Sequence, residues 1–396
     1  MNKTNWILPI IVFSQFCCTS LWFAGNGVID ELIINFSLPS YALSYLTSSV
    51  QFGFITGTLT FSILAISDRY PPSKVFFWSA LVAGSSNLAI AILEQTFYSL
   101  LSFRFLTGFF LAGIYPVGMK IAADYFDKGL GKSLGYLVGA LVVGTAFPHF
   151  LNDFKIGFSW KFVILSTTFL AFTGGSLILM FVPNGPFRKP SLKFEWKQFL
   201  SVFRHVEFRS AAFGYFGHMW ELYAFWAFVP FILNTYSSQH LITDFNISLW
   251  SFMIIAIGGP ACVISGFLSN LYGVKKIAML ALTLSGICCL ISPFAFYVLP
   301  TPLFLIFMFI WGMTAIADSP LFSTLVAQNA SSELKGTALT IVNCIGFSIT
   351  IVSIQILDLL KGFLNPNFLF MVLSIGPLTG IILLVRQNVD KTRINS

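Results

Sequence analysis

Apolar positions in this chain do not alternate with polar ones, nor recur along one face of short helices. They come in unbroken runs of about 18 residues or more, parted by short polar stretches. Twelve such runs are legible: Ile7–Ile29, Leu43–Ser67, Val75–Leu93, Phe97–Ala122, Leu130–Leu151 and Lys161–Val182, then Ser210–Leu233, Ser248–Asn270, Ile277–Val298, Pro302–Ala327, Gly336–Leu360 and Phe368–Val385. At about 1.5 Å of rise per residue, each is long enough to cross the hydrocarbon of a bilayer as a helix. The longest polar interruption, Pro183–Arg209, falls between the sixth run and the seventh. The pattern therefore predicts an all-α membrane protein. Its twelve transmembrane helices form two six-helix, pseudo-symmetric halves: residues 1–182, a linker loop at 183–209, and residues 210–396.

Composition strengthens that reading. Of 396 residues, 56% are hydrophobic and 9% are charged, against about a quarter charged in a soluble domain. Phe alone contributes 46 residues. So few charges cannot solvate a surface of this size, and lipid must be the solvent. The net charge of +7 does not point to nucleic acid, because no basic patch with interleaved aromatics is present. It sorts by side instead. With both termini cytoplasmic, the inside loops and tails hold seventeen Lys or Arg, among them Arg69, Lys74, Arg188, Lys275 and Arg386. The outside loops hold only Lys155, Lys161 and Lys361. That is the positive-inside bias, and one missed span would scramble it. The first run is read as an uncleaved span rather than a signal peptide. The six cysteines, Cys17, Cys18, Cys262, Cys288, Cys289 and Cys344, all lie in apolar runs and read as small core residues. In the linker, FEWKQFLSVF sets Lys193, Lys197 and Arg204 around apolar residues, as a short amphipathic helix lying on the membrane would.

A repeat of about 202 to 204 residues links the halves. SDRYPPSK after the second run recurs as SNLYGVKK after the eighth, and the spacing from Gly108 to Pro116 recurs from Gly312 to Pro320. Twelve spans in two related halves, the SDRYPPSK loop, and RFLTGFFLAGIYP in the fourth span resemble the major facilitator superfamily. Its loop signature is Gly-x-x-x-Asp-Arg-x-Gly-Arg-Lys, and its fourth span carries Arg-x-x-x-Gly. Asp68, Arg69 and Lys74 match; Ile63 or Leu64 replaces the first Gly, and Pro71-Pro72 replaces the Gly-Arg pair. WFAGN, YPVGMK and GHMWELYA are also similar to a little-characterised bacterial subgroup grouped with nitrate and cyanate porters. The resemblance implies a monomeric transporter of the bacterial inner membrane. It also implies a central cavity lined by spans 1, 4, 7 and 10, and a gate at Asp68, Arg69 and Lys74.

Ionisable residues inside the runs are costly and so mark function by default. Arg104 and Lys120 fall in span 4, His218 and Glu221 in span 7, and Asp318 in span 10; His149 in span 5 stands apart. Glu221, His218 and Asp318 are the proton-coupling candidates, because a carboxyl kept from water can be loaded and unloaded by a modest gradient. His218 either titrates or orients Glu221. Arg104, with Lys120, is the candidate for attracting an anionic group of a substrate, although Lys120 can instead pair with Asp124 on its own helix. Trp22 and Asn26 share a helical face of span 1, and Trp311 lies near Asp318 in span 10, so these three are candidates for the floor of a binding cavity. Gln51 reads as an interhelical hydrogen bond, and His149 as a gate or loop residue.

No G-x-x-x-x-G-K-[ST] sequence occurs, so transport would draw on a gradient. No H-E-x-x-H occurs, and no catalytic constellation argues for an enzyme. No cofactor or metal is expected. The porters of nitrate carry arginines in spans 2 and 8, and this chain has neither, which disfavours nitrate. The expected function is proton-coupled movement of a small solute, an organic anion first, by alternating access. Two alternatives stay open: an exporter of an amphipathic metabolite, siderophore or drug, and a non-transporting membrane receptor or scaffold.

Overall fold

A computed structural model describes residues 6–126, 130–154, 158–188, 203–330 and 335–394, with side chains omitted at 130–132, 335 and 386–394. All regular structure among the described residues is helical. The amphipathic segment expected in the linker lies outside them except for its last residues.

By length and apolar character, nine helices of the described residues are sufficient to cross a membrane. The remaining three spans are helical too, and each falls short for a chemical reason. Span 1 is divided: a helix at Ile7–Thr19, turns over 20–25, a 3-10 turn at Asn26–Val28 and a helix at Ile29–Phe36. Span 2, Ala42–Ile63, is rich in Ser and Thr. Span 7, Val206–Gln239, carries His218 and Glu221. Large apolar side chains such as Trp78, Phe169 and Leu359 lie exposed on the helix surfaces, where a soluble protein would place charge. The protein is a multi-pass membrane protein of twelve spans.

Spans 4, 8 and 10 are interrupted as well. Span 4 runs through Phe97–Leu111, breaks, and resumes at Tyr115–Tyr125; span 10 runs through Thr301–Ala317 and resumes at Ser319–Asn329. Each second piece has Pro at its second position, Pro116 and Pro320. A proline there lacks the N–H and displaces the carbonyl four residues back, so the helix breaks just before it. The repeat seen in the sequence is thus a repeated break. Span 8 divides between Ile247–Ala256 and Gly258–Tyr272. Spans 3, 5, 6, 9 and 11 are single helices at Pro72–Ile92, Leu130–Phe154, Lys161–Phe181, Val274–Val298 and Lys335–Leu360. Span 12 enters by Pro366–Leu369 and a 3-10 turn before Ile375–Ile394. The Pro71-Pro72 pair that departs from the family signature starts span 3: Pro71 caps it and Pro72 is its first residue, where a fixed φ and a missing N–H cost nothing.

The chain divides into two compact units, Met1–Ser191 with Asp244–Gly259, and Leu192–Thr243 with Pro260–Ser396. In the first, span 2 packs on span 4, span 3 on span 6, and span 1 on spans 5 and 6; the first piece of span 8 lies along span 5. In the second, span 7 is packed by spans 10, 11 and 12, and span 9 by spans 10 and 12.

Small residues set the closest contacts. A Cβ at Gly108 would collide with the Val50 carbonyl, and one at Gly53 with the Phe105 carbonyl, so spans 2 and 4 touch backbone to backbone. Gly217 and Gly376 do the same for spans 7 and 12. Around Gly135, in contrast, nothing lies within 4 Å of an added Cβ. Gly108→Ala is therefore expected to destabilise the protein by about 1 to 3 kcal/mol through overpacking, whereas Gly135→Ala is neutral or slightly stabilising. Thermal unfolding in detergent checks both; equal midpoints for the two variants would remove the argument.

Candidate functional site

In the first unit, the feature that organises the buried polar groups is the break in span 1. Where its helix stops at Thr19 the chain continues in turns, and the Leu21 carbonyl accepts the Ala24 N–H at 3.4 Å. Arg104 of span 4 reaches into this turn: Nη1 donates to the Leu21 carbonyl at 3.0 Å, and Nη2 donates to that of Trp22. The guanidinium is 1% exposed, and its Nε has no partner among the described residues. No carboxylate pairs with it among those residues. A buried cation held only by neutral carbonyls retains its full attraction for an anion.

Trp22 and Asn26 do not share a helical face, because the helix ends before both. The Trp22 ring packs on Phe54 at 4.9 Å, while Asn26 Nδ2 donates to Thr47 Oγ1 at 2.8 Å. Gln51 lies between Thr47 and Phe54 on the same face of span 2, spaced four and three residues from them. It is buried, and neither amide atom has a partner among the described residues. The expected interhelical hydrogen bond is not made; Thr47 and Phe54 take the contacts with span 1 instead. His149 is not a loop residue. It sits buried within span 5, with Nε2 unpartnered among the described residues, next to Pro148, on which the backbone of Gly27 packs.

Lys120 is placed with the loop rather than with Arg104. It forms an ion pair with Asp68 in the loop, while Asp124 on its own helix acts on it through charge without a direct contact. Arg188 closes the group by donating to the carbonyls of Asp68 at 2.9 Å and Tyr70 at 3.0 Å. The Phe187 N–H donates to the Asp124 carbonyl. Arg69 and Lys74, the other two expected gate residues, are exposed.

The second unit gathers the remaining candidates. His218 Nδ1 lies 2.7 Å from Asp318 Oδ1, a separation that requires a hydrogen between them. Asp318 occupies the break in span 10, and its own carbonyl accepts the N–H groups of Leu321 and Phe322. Beyond that contact, Asp318 Oδ1 and Oδ2 and His218 Nε2 have no hydrogen-bond partner among the described residues. His218 therefore orients Asp318 and not Glu221.

Glu221, one turn along span 7, has a separate set of partners. Trp311 Nε1 donates to Oε1 at 2.7 Å, Cys289 Sγ donates to Oε1 at 3.4 Å, and Ser285 Oγ lies 2.9 Å from Oε2. The Trp311 ring stacks on Phe225 at 4.6 Å. The indole N–H is thus committed to the carboxylate, so Trp311 is a partner of Glu221 before it is a cavity floor. Ser285 was not singled out in the sequence and Cys289 was read only as a small core residue, although their spacing of four residues on span 9 puts both on one helical face. His218, Glu221 and Asp318 are all at most 1% exposed. Ionisable groups sealed this deeply in a span are held for a task or by their partners.

Comparison with known proteins gives a consistent picture. The chain is 28% identical over 157 residues to an uncharacterized transporter of Buchnera aphidicola, covering 39% of this chain and 37% of that one. It is 28% identical over 165 residues to a putative metabolite transport protein of Haemophilus influenzae, covering 37% and 38%. To the inner membrane metabolite transport protein YdjE of Escherichia coli it is 27% identical over 119 residues, covering 30% and 26%. The chain thus spans less than two-fifths of the length of these relatives. Among solved structures, the proton:xylose symporter XylE superposes with a TM-score of 0.75 at 13% identity, covering 97% of this chain and 95% of that one. The nucleoside transporter NupG superposes with a TM-score of 0.71 at 14% identity, covering 97% and 98%. These likenesses establish the fold. Residues 11–354 match the model of the Major Facilitator Superfamily, and with most of its length matched, this chain belongs to that superfamily, a family of transporters and not of enzymes.

Proposed function

We propose that this protein is a proton-coupled secondary transporter of a small organic anion, working by alternating access in the bacterial inner membrane with both termini cytoplasmic. The observation that carries the reading is a division of charge. The first unit buries a cation, Arg104, with no carboxylate paired to it among the described residues. The second buries the titratable set Glu221, His218 and Asp318. Arg104 attracts the anionic group of the solute, and the second set holds the coupled proton. Binding an anion at Arg104 offsets a charge that burial otherwise penalises, which gives the solute its affinity. Asp68, Arg69, Lys74 and Lys120 form the loop device that governs opening. The sorting of Lys and Arg supports the orientation. Uptake is the preferred direction, since a proton and an anion entering together carry little net charge across the membrane. The protein works as a monomer.

The test is accumulation of a panel of carboxylates, including carboxylate-type siderophores, by cells with and without the protein. It is run under limiting iron and then limiting carbon, with a protonophore control. The expected result is protonophore-sensitive uptake of one class of organic anion, lost in Arg104→Gln. Higher accumulation in cells lacking the protein would make it an exporter. An anion-independent phenotype that survives Arg104→Gln would remove the transport reading.

A further inference from the structure

The oxygens of Glu221 are not equivalent, and their partners say which one takes a proton. Oε1 faces two donors, the Trp311 indole N–H at 2.7 Å and the Cys289 thiol at 3.4 Å. An indole nitrogen can only donate, so a proton on Oε1 would set two hydrogens against each other. Oε2 faces the Ser285 hydroxyl at 2.9 Å, which can donate or accept. That hydroxyl has a second acceptor within reach, the Leu282 carbonyl one turn back at 3.1 Å. One hydrogen and two acceptors give it two positions.

We infer that Ser285 is the positioning residue for the proton on Glu221: Oε2 is the oxygen protonated, and the Ser285 hydroxyl turns over to match each state. With Glu221 ionised, the hydroxyl donates to Oε2. When a proton arrives and the Oε2–H bond forms, that bond donates to Ser285 Oγ, and the hydroxyl hydrogen swings to the Leu282 carbonyl. Release of the proton reverses both movements. The indole and thiol hydrogen bonds to Oε1 stay in place throughout. No buried polar atom of this group loses its partner in either state, and an unmade hydrogen bond is what makes such a change costly in a sealed interior. The titratable neighbours of Glu221 are His218 on its own span, Cys288 and Cys289 on span 9, and Asp318 on span 10. Spans 11 and 12 meet span 7 through Thr350, which donates to the Met219 carbonyl, and Gly376. The inference rests on the reading of Glu221 as a proton site, and it adds the atom and the residue that serve it.

The experiment is infrared difference spectroscopy of the full-length protein in liposomes, stepped between acidic and alkaline buffer, with no transported solute needed. The carboxyl C=O band of protonated Glu221 is identified by its loss in Glu221→Gln. The expected result is that Ser285→Ala displaces this band, because the acid has lost its acceptor, while Ser285→Thr, which keeps a hydroxyl, leaves it at the wild-type position. Ser285→Cys, with a weaker acceptor of similar size, serves as the second variant and is expected to displace the band part of the way. A band that is lost in Glu221→Gln but unmoved in both Ser285→Ala and Ser285→Cys overturns the role of Ser285 and leaves Glu221 as the proton site. A spectrum with no band sensitive to Glu221→Gln overturns the proton-site reading itself, and the inference with it.

Discussion

Glu221→Gln is expected to reduce solute accumulation to the level reached in the presence of a protonophore. Glutamine is the same size as glutamic acid, and its amide reproduces the hydrogen bonds of the protonated form: its oxygen accepts from Trp311, and its nitrogen donates to Ser285. Packing is therefore preserved and only the titration is removed. Each pH unit of gradient is worth about 1.4 kcal/mol per coupled proton, so losing that proton from an electroneutral symport lowers the accumulation ratio about tenfold per unit of gradient. The measurement is the steady-state ratio of the identified solute in cells carrying equal amounts of wild-type and variant protein. Accumulation that persists in the variant and still collapses with protonophore would place the coupling proton elsewhere, with Asp318 the next carboxyl to replace.

His218→Leu is expected to destabilise the protein by about 3 to 5 kcal/mol, the cost of removing one partner from a buried pair. Asp318 sits in the break of span 10, sealed from solvent, with His218 Nδ1 2.7 Å from one oxygen and no partner on the other among the described residues. Without His218 neither carboxyl oxygen has a polar partner among the described residues. Replacing both residues by leucine is expected to recover most of the loss, because two apolar side chains leave nothing unpaired. Thermal unfolding in detergent of the two single variants and the double variant gives the coupling directly. Singles that lower the midpoint by amounts that simply add in the double variant would mean that the two residues act independently.

Much of the architecture can be read from local pattern. Twelve spans were legible because every stretch of backbone inside a bilayer must close its hydrogen bonds within itself, and that demand writes long apolar runs into the chain. The repeat was legible as well, since Pro116 and Pro320 act on their own helices. Both break the span just ahead of them, as proline does wherever it stands. The ionisable candidates within the spans were found by a single criterion, charge inside an apolar run, which needs no knowledge of partners.

Partners are where local reading stops. His218 and Glu221, three residues apart on one helix, suggested a joint site, yet the fold gives His218 to Asp318 and Glu221 to Trp311, Ser285 and Cys289. Trp22 and Asn26 lost their shared face when span 1 unwound, and two carbonyls of the turn that replaced it became the seat of Arg104. Lys120 feels the charge of Asp124 four residues away, yet its direct contact is with Asp68, fifty-two positions back in the chain. The sequence by itself determined that this protein crosses a membrane, how many times, and which side chains it keeps there at a cost. Only the tertiary structure decided which of those side chains meet, because a hydrogen bond depends on a separation of about 3 Å between atoms on different helices, and no spacing along one helix encodes it.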